Sequence, residues 1–238
     1  MAKMIGLSRN LKLQWLNKVV ELVMDDLTEN EIKEQLNEYL CFEITSPTNI
    51  RKTREILMNI WLYENGYSGQ LKEQAISLIR SYPEFARVIH WCMMLAAYPV
   101  FIDMCKLLGR MAEFQDEITL SQLKKKLFDE WGERTTLYHS IDKLIATLKN
   151  FEAVTCDKPG KYHINKNEVQ NEKVVLFMVY TMMCVEERGY YSLMDLKSTE
   201  FFFPFEYKIE KESLLMDNRF VLNNFGGEIS IALNNGVS

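Results

Sequence analysis

The chain predicts a mainly α fold: an N-terminal helical bundle, then a helix-turn-helix unit that ends in a hairpin, then a small α+β C-terminal portion with a second hairpin. Three observations predict it. Apolar residues recur at i, i+3 and i+4 through most of the sequence, the period of an amphipathic helix. Residues 117–165 (EITLSQLKKKLFDEWGERTTLYHSIDKLIATLKNFEAVTCDKPGKYHIN) write two such helices, followed by two short extended runs around Asp-Lys-Pro-Gly. Residues 219–233 alternate apolar and polar around Asn-Phe-Gly-Gly, the period of a strand pair. The boundaries expected from these signals are 1–83, 84–166 and 167–238.

In the first unit, Ser8 is the expected cap of a helix running to about Asp26, with Leu11, Trp15, Val19, Leu22 and Val23 on its apolar face. Thr28 and Glu31 have the spacing of a capping box, in which each side chain satisfies a backbone N–H of the other. The helix they open buries Ile32, Leu36, Tyr39 and Leu40. After Thr45-Ser46-Pro47-Thr48, a third helix runs to about Asn65 with Ile50, Leu57, Ile60 and Trp61 inside and Gly66 as its stop. Arg51, Lys52 and Arg54 crowd its early turns. Cations there oppose the helix dipole, so they form either a solvated face or a secondary basic patch for an anionic partner. Ser68-Gly69 opens a fourth helix that Pro83 ends.

From Glu84 a very apolar helix runs to Tyr98, and Pro99 suits the first turn of the next, which carries Phe101, Cys105, Leu108 and Ala112 at core spacing. His90 and Cys92, two apart on a helix, point in different directions; they are expected in the core, not as a metal pair. Thr119 and Gln122 form a second capping box, opening a helix with Leu120, Leu123, Leu127 and Trp131 along one stripe. The opposite face is assigned to Lys124, Lys125 and Lys126, and Gly132 ends the helix. Thr135 or Thr136 would cap a further helix burying Leu137, Ile141, Leu144, Ile145 and Leu148. Its outward side carries Thr135, His139, Asp142, Lys143 and Ala146. The hairpin of Ala153–Thr155 and Lys161–Ile164 follows, with Lys158 and Lys161 at its tip or edge. That order outlines a winged helix-turn-helix, whose second helix enters a DNA major groove while the wing touches phosphate. The candidate nucleic-acid-binding residues are therefore Lys124, Lys125, Lys126, Arg134, Thr135, His139, Lys143, Lys158 and Lys161. Eight Lys or Arg against seven Asp or Glu make residues 117–165 only slightly basic, so any contact comes from a local patch.

Beyond the hairpin, a helix is expected over Glu172–Glu187, with Val174, Phe177, Met178, Thr181 and Val185 inward. Ser192 can cap a short turn. Phe201-Phe202-Phe203-Pro204-Phe205 is either a docking surface or the lid of a core.

The formal charge of −5 disfavours nonspecific nucleic-acid binding by overall charge. Five widely spaced cysteines without a C-x-x-C pair fit reduced thiols in the cytoplasm better than a disulfide framework. The start of the chain lacks the compact apolar run of a signal peptide. The longest apolar run, Trp91–Ile102, falls short of the ~20 residues a bilayer requires, so no membrane contact is expected. The sequence has none of the phosphate-binding glycine patterns, the H-E-x-x-H zinc motif or the G-x-S-x-G nucleophile motif. We therefore expect no cofactor, no metal and no enzymatic activity.

The run from His90 to Val154 resembles the BrxA family of bacterial BREX phage-defence systems. The likeness lies in LAAYPVF (residues 95–101), ITLSQLKKKL (118–127) and WGERTT (131–136), with LSRN (7–10) and IRKTREIL (50–57) nearer the start. It is strongest over residues 84–154 and looser over the first 80. The resemblance implies a small, non-catalytic, mostly helical protein with likeness to the RNA-binding antiterminator NusB. It implies binding to double-stranded DNA and work beside a methyltransferase, a large ATPase and an alkaline-phosphatase-like protein. Family members have also carried an inner-membrane label, against which the run lengths speak. Two alternatives stay open: a module that docks partner proteins of such a complex, and an RNA-binding protein.

Overall fold

The computed structural model describes residues 6–64, 66–186, 188–197, 199–225 and 228–234. Among these, eleven α-helices and eight short strands form a mainly helical molecule. The N-terminal helices are α1 (Leu13–Met24), α2 (Glu29–Cys41), α3 (Pro47–Trp61) and α4 (Ser68–Ser81). The central helices are α5 (Ala86–Ala97) and α6 (Pro99–Ala112), preceded by a single 3-10 turn at Pro83–Phe85. Then come β1 (Ile118–Thr119), α7 (Leu120–Trp131), α8 (Thr135–Asn150), β2 (Val154–Lys158) and β3 (Lys161–Ile164). The chain continues with β4 (Asn167–Val169), α9 (Glu172–Glu186), β5 (Tyr191–Ser192), α10 (Leu193–Lys197), β6 (Phe205–Tyr207), α11 (Lys211–Met216), β7 (Phe220–Phe225) and β8 (Glu228–Leu233).

The capping box at Thr28 forms as expected, but Ser8 caps nothing. Residues 6–12 before α1 are not helical, and Leu7 and Leu11 among them are fully buried. Leu11 is held at both backbone groups by α8: its N–H donates to the Thr147 hydroxyl at 2.9 Å, and its carbonyl accepts the Asn150 amide at 2.7 Å. These long-range bonds replace the local cap. Helix α3 stops at Trp61, short of the expected Asn65, which lies outside the described residues.

Helices α5 and α9 pack together at the centre. Both are apolar nearly all round, and a helix of that kind must be enclosed; α9 is buried continuously from Val174 to Cys184, well beyond the one inward stripe the periodicity gave. His90 and Cys92 are indeed core residues. His90 lies edge-on to Trp61 and 2.8 Å from the Asn17 amide oxygen. The aromatic run 201–205 is core, not surface. Trp91 donates its indole N–H to the Phe201 carbonyl at 2.9 Å and meets Phe203 and Phe205 edge-on. Gly109 admits this segment: a Cβ there would sit 2.7 Å from the Glu200 backbone. The buried core runs without interruption through residues of all three expected units.

Three small sheets decorate the helices. One has the order β1-β3-β2, all antiparallel. In the second, β4 pairs with β6 in parallel, a crossover that no local signal announced. The third has the order β5-β8-β7; its β7–β8 hairpin forms where the alternation placed it, with the turn residues Gly226 and Gly227 outside the described residues. No single helix among the described residues is long and apolar enough to cross a membrane. The one pair that would qualify together, Pro83–Ala97 with Pro99–Ala112, is bent by 118°.

Candidate nucleic-acid interface

The expected site is built on α7, α8 and the β2–β3 hairpin. The capping box opens α7: the Thr119 hydroxyl accepts the Gln122 N–H at 3.3 Å, and the Thr119 N–H donates to Gln122 Oε1 at 2.9 Å. The Leu120 N–H donates to the Gly160 carbonyl at 2.9 Å, fastening the hairpin turn to the start of α7. At the other end, Gly132 takes φ 78°, a conformation that favours glycine, and Trp131 donates to Asp103 Oδ2 at 2.7 Å on α6. Helix α8 begins after Arg134, whose backbone is extended; Thr135 and Thr136 are already helical, and neither caps it.

The three consecutive lysines of α7 do not share a face. Successive helical residues are about 100° apart, so Lys124 and Lys126 point about 200° away from each other. Lys124 is turned inward onto α8 and buried. Its ammonium lies 2.7 Å from Asp142 Oδ1 and 3.4 Å from the centre of the Tyr138 ring. Its charge is matched inside the protein, and Asp142, expected on the outward side of α8, is its partner. Phe128, one turn on, stacks on the same Tyr138. Lys126 instead lines a pocket of about 500 Å³ against α6, with Arg110, Phe114 and the acidic Asp129 and Glu130. Lys125 lies between these directions and is exposed.

The remaining candidates divide in the same way. Arg134 is half-buried and donates to the Trp131 carbonyl at 3.3 Å. Lys161 pairs with Glu117 at 2.5 Å, and that hydrogen bond holds the Glu117 carboxyl below its usual range. Thr135, His139 and Lys143 are exposed at i, i+4 and i+8, one stripe along α8. Lys158 is exposed at the hairpin, where Gly160 takes φ 77°. Among the described residues, Lys125, Lys126, Lys143 and Lys158 are the lysine and arginine candidates that are exposed and make no ion pair. In the secondary patch, Arg51 and Lys52 are exposed, whereas Arg54 is held by Asn37 at 3.0 Å and Glu55 at 2.6 Å.

Two residues outside the candidate set bear on this surface. Tyr138 is 46% exposed and forms the platform for Lys124 and Phe128. Arg9, far away in the sequence, lines a pocket with Lys143. No local signal placed Arg9 beside α8, because only the docking of the N-terminal segment brings it there. Among the described residues, no three His, Cys, Asp or Glu side chains gather as a metal-binding group. No protein-family model, curated protein or solved structure matches this chain.

Proposed function

We propose that the chain is a non-catalytic, double-stranded-DNA-binding accessory component of a bacterial phage-defence system of the BREX kind, and that residues 99–164 act as a winged helix-turn-helix. The observation that carries the DNA part is the order α6–β1–α7–α8–β2–β3 with a β1-β3-β2 sheet, which leaves the Thr135–His139–Lys143 stripe of α8 and Lys158 of the hairpin exposed. In such a unit the second helix lies in the major groove and the wing on the backbone. The defence setting, and the methyltransferase, ATPase and phosphatase-like partners, rest on the BrxA resemblance. The exposed stripe holds no Arg, Asn or Gln suited to bidentate base reading, so binding is led by phosphate contacts and nearly blind to sequence.

The test is a fluorescence titration of a labelled duplex at several salt concentrations. About three phosphate contacts give a slope of log affinity on log salt of about −3. Changing Lys143 and Lys158 together to Glu should weaken binding to every duplex at least about tenfold and flatten that slope by about two. Wild-type binding that ignores salt, or a double variant with unchanged affinity, sinks the reading. A second reading, a docking module for partner proteins, then takes its place. It is favoured by Phe114, 87% exposed beside the Lys126 pocket, and by the internal pairing of Lys124 and Lys161. RNA binding has no separate observation in its favour.

A further inference from the structure

We infer that the pocket between the start of α1, the first turns of α3 and the middle of α8 is a phosphate-binding site, and that Arg9 and Lys143 are its ligands. The pocket holds about 420 Å³ and is lined by Arg9, Lys12, Glu43, Asn49, Thr53 and Lys143, among others. Its charges do not balance. Glu43 is fully occupied: it pairs with Lys12, accepts the Gln14 amide at 2.6 Å and accepts the Trp15 indole N–H at 3.1 Å. These donors, Lys12 foremost, hold its carboxyl below the usual range, so it stays an anion matched to Lys12. Arg9 and Lys143 are left over. Among the described residues, Arg9 donates only to neutral acceptors, the Ser8 carbonyl at 2.7 Å and the Asn49 side-chain oxygen at 2.9 Å, and its buried Nε–H has no partner. Lys143 makes no ion pair among the described residues.

Two uncompensated cations across one concave space repel each other, and in a chain of net charge −5 such a pair is the place an anion is drawn to. A guanidinium fixed by Asn49 and an ammonium on a flexible stem suit a tetrahedral oxyanion, the one as a planar fork, the other as a point charge. Asn49 lies in the first turn of α3, at the positive end of that helix's dipole. The proposal rests on the DNA reading above in one respect: Lys143 is one helical turn beyond His139 on the exposed stripe of α8. A backbone phosphate of a duplex lying along that stripe would be received in this pocket, making the N-terminal segment part of the nucleic-acid surface.

The experiment uses the full chain as wild type, Arg9→Gln, Lys143→Gln and a distant control, Lys173→Gln, each checked for its melting transition. In the first arm, inorganic pyrophosphate is titrated and followed by calorimetry or amide shifts in NMR spectra. Millimolar binding that both pocket variants weaken by at least about fivefold, and the control does not, is expected. In the second arm, duplex DNA is titrated against salt; Arg9→Gln should lower affinity about three- to tenfold and flatten the salt slope by about one. If DNA binds the wild type but Arg9→Gln changes neither affinity nor slope, and pyrophosphate fails to bind, the pocket proposal falls while the DNA reading stands. If DNA does not bind at all, the DNA reading falls. The phosphate site then stands on pyrophosphate binding lost in both variants, and falls without it.

Discussion

The α5–α9 centre and the α7–α8 unit deal with buried polar groups in opposite ways. In the centre, His90 is enclosed without any charged partner, and burial pushes its pKa down from 6.5 to about 3, so it sits there neutral. In the α7–α8 unit, Lys124 is also buried, yet an anion and an aromatic face accompany it, from Asp142 and Tyr138. An apolar layer closed on all sides leaves an ionisable group no way to be charged except at high cost. A layer one helix thick, at the surface, can bury the stem of a lysine while a neighbouring carboxylate satisfies its head. The difference teaches that burial alone does not say whether a polar side chain is charged, and that a lysine-rich stretch is not by itself a basic surface.

The largest expected effect breaks the α7–α8 side of that contrast. Lys124→Glu sets two carboxylates together in a half-closed site, and should lower stability by about 3 kcal/mol in urea unfolding, the low end of the range for fully buried pairs because Asp142 is partly exposed. A loss below about 0.5 kcal/mol, the ordinary surface value, would mean that Lys124 is solvated after all.

The next effect tests the centre. An unfolded His90 takes up its proton near pH 6.5, while the folded one resists until about pH 3. The unfolded state therefore binds more protons in that window, and stability is full above about pH 6.5 and drains as pH falls toward 3. At pH 5 the loss from this one group is about 2 kcal/mol. His90→Met, close in volume, should remove that part of the pH dependence; thermal melts from pH 7 to 5 that slope equally in both proteins would contradict the neutral buried imidazole.

Smaller effects mark the edges of the α7–α8 unit. Thr119→Ala removes the hydroxyl that caps the start of α7, at about 1 kcal/mol by chemical denaturation. Lys126→Gln, on the opposite side of α7 from Lys124, should shift stability by no more than about 0.5 kcal/mol in the same measurement. Were it to cost as much as Lys124→Glu, the division of the lysine run between two faces would be wrong.

The sequence by itself determined the local features. The mainly helical character, both capping boxes, the breaks at Pro83 and Pro99, the stop at Gly132 and the two hairpins are all set by neighbours within a few residues, and propensity, capping and turn chemistry act at that range. Helical geometry alone should have divided Lys124 from Lys126. The same geometry sets Lys124 on the stripe of Leu120, Leu127 and Trp131, and tertiary structure supplied only its partners, Asp142 and Tyr138 of the next helix. Tertiary structure also decided that Ser8 caps nothing, since Leu11 is held by Thr147 and Asn150 of α8. It decided that α9 is enclosed on every side and that β4 runs parallel to β6, because both depend on which distant surfaces meet. Arg9 and Lys143 share one pocket for the same reason. Contacts between residues far apart in the chain follow from the packing of whole elements, and no short window of sequence contains the partner.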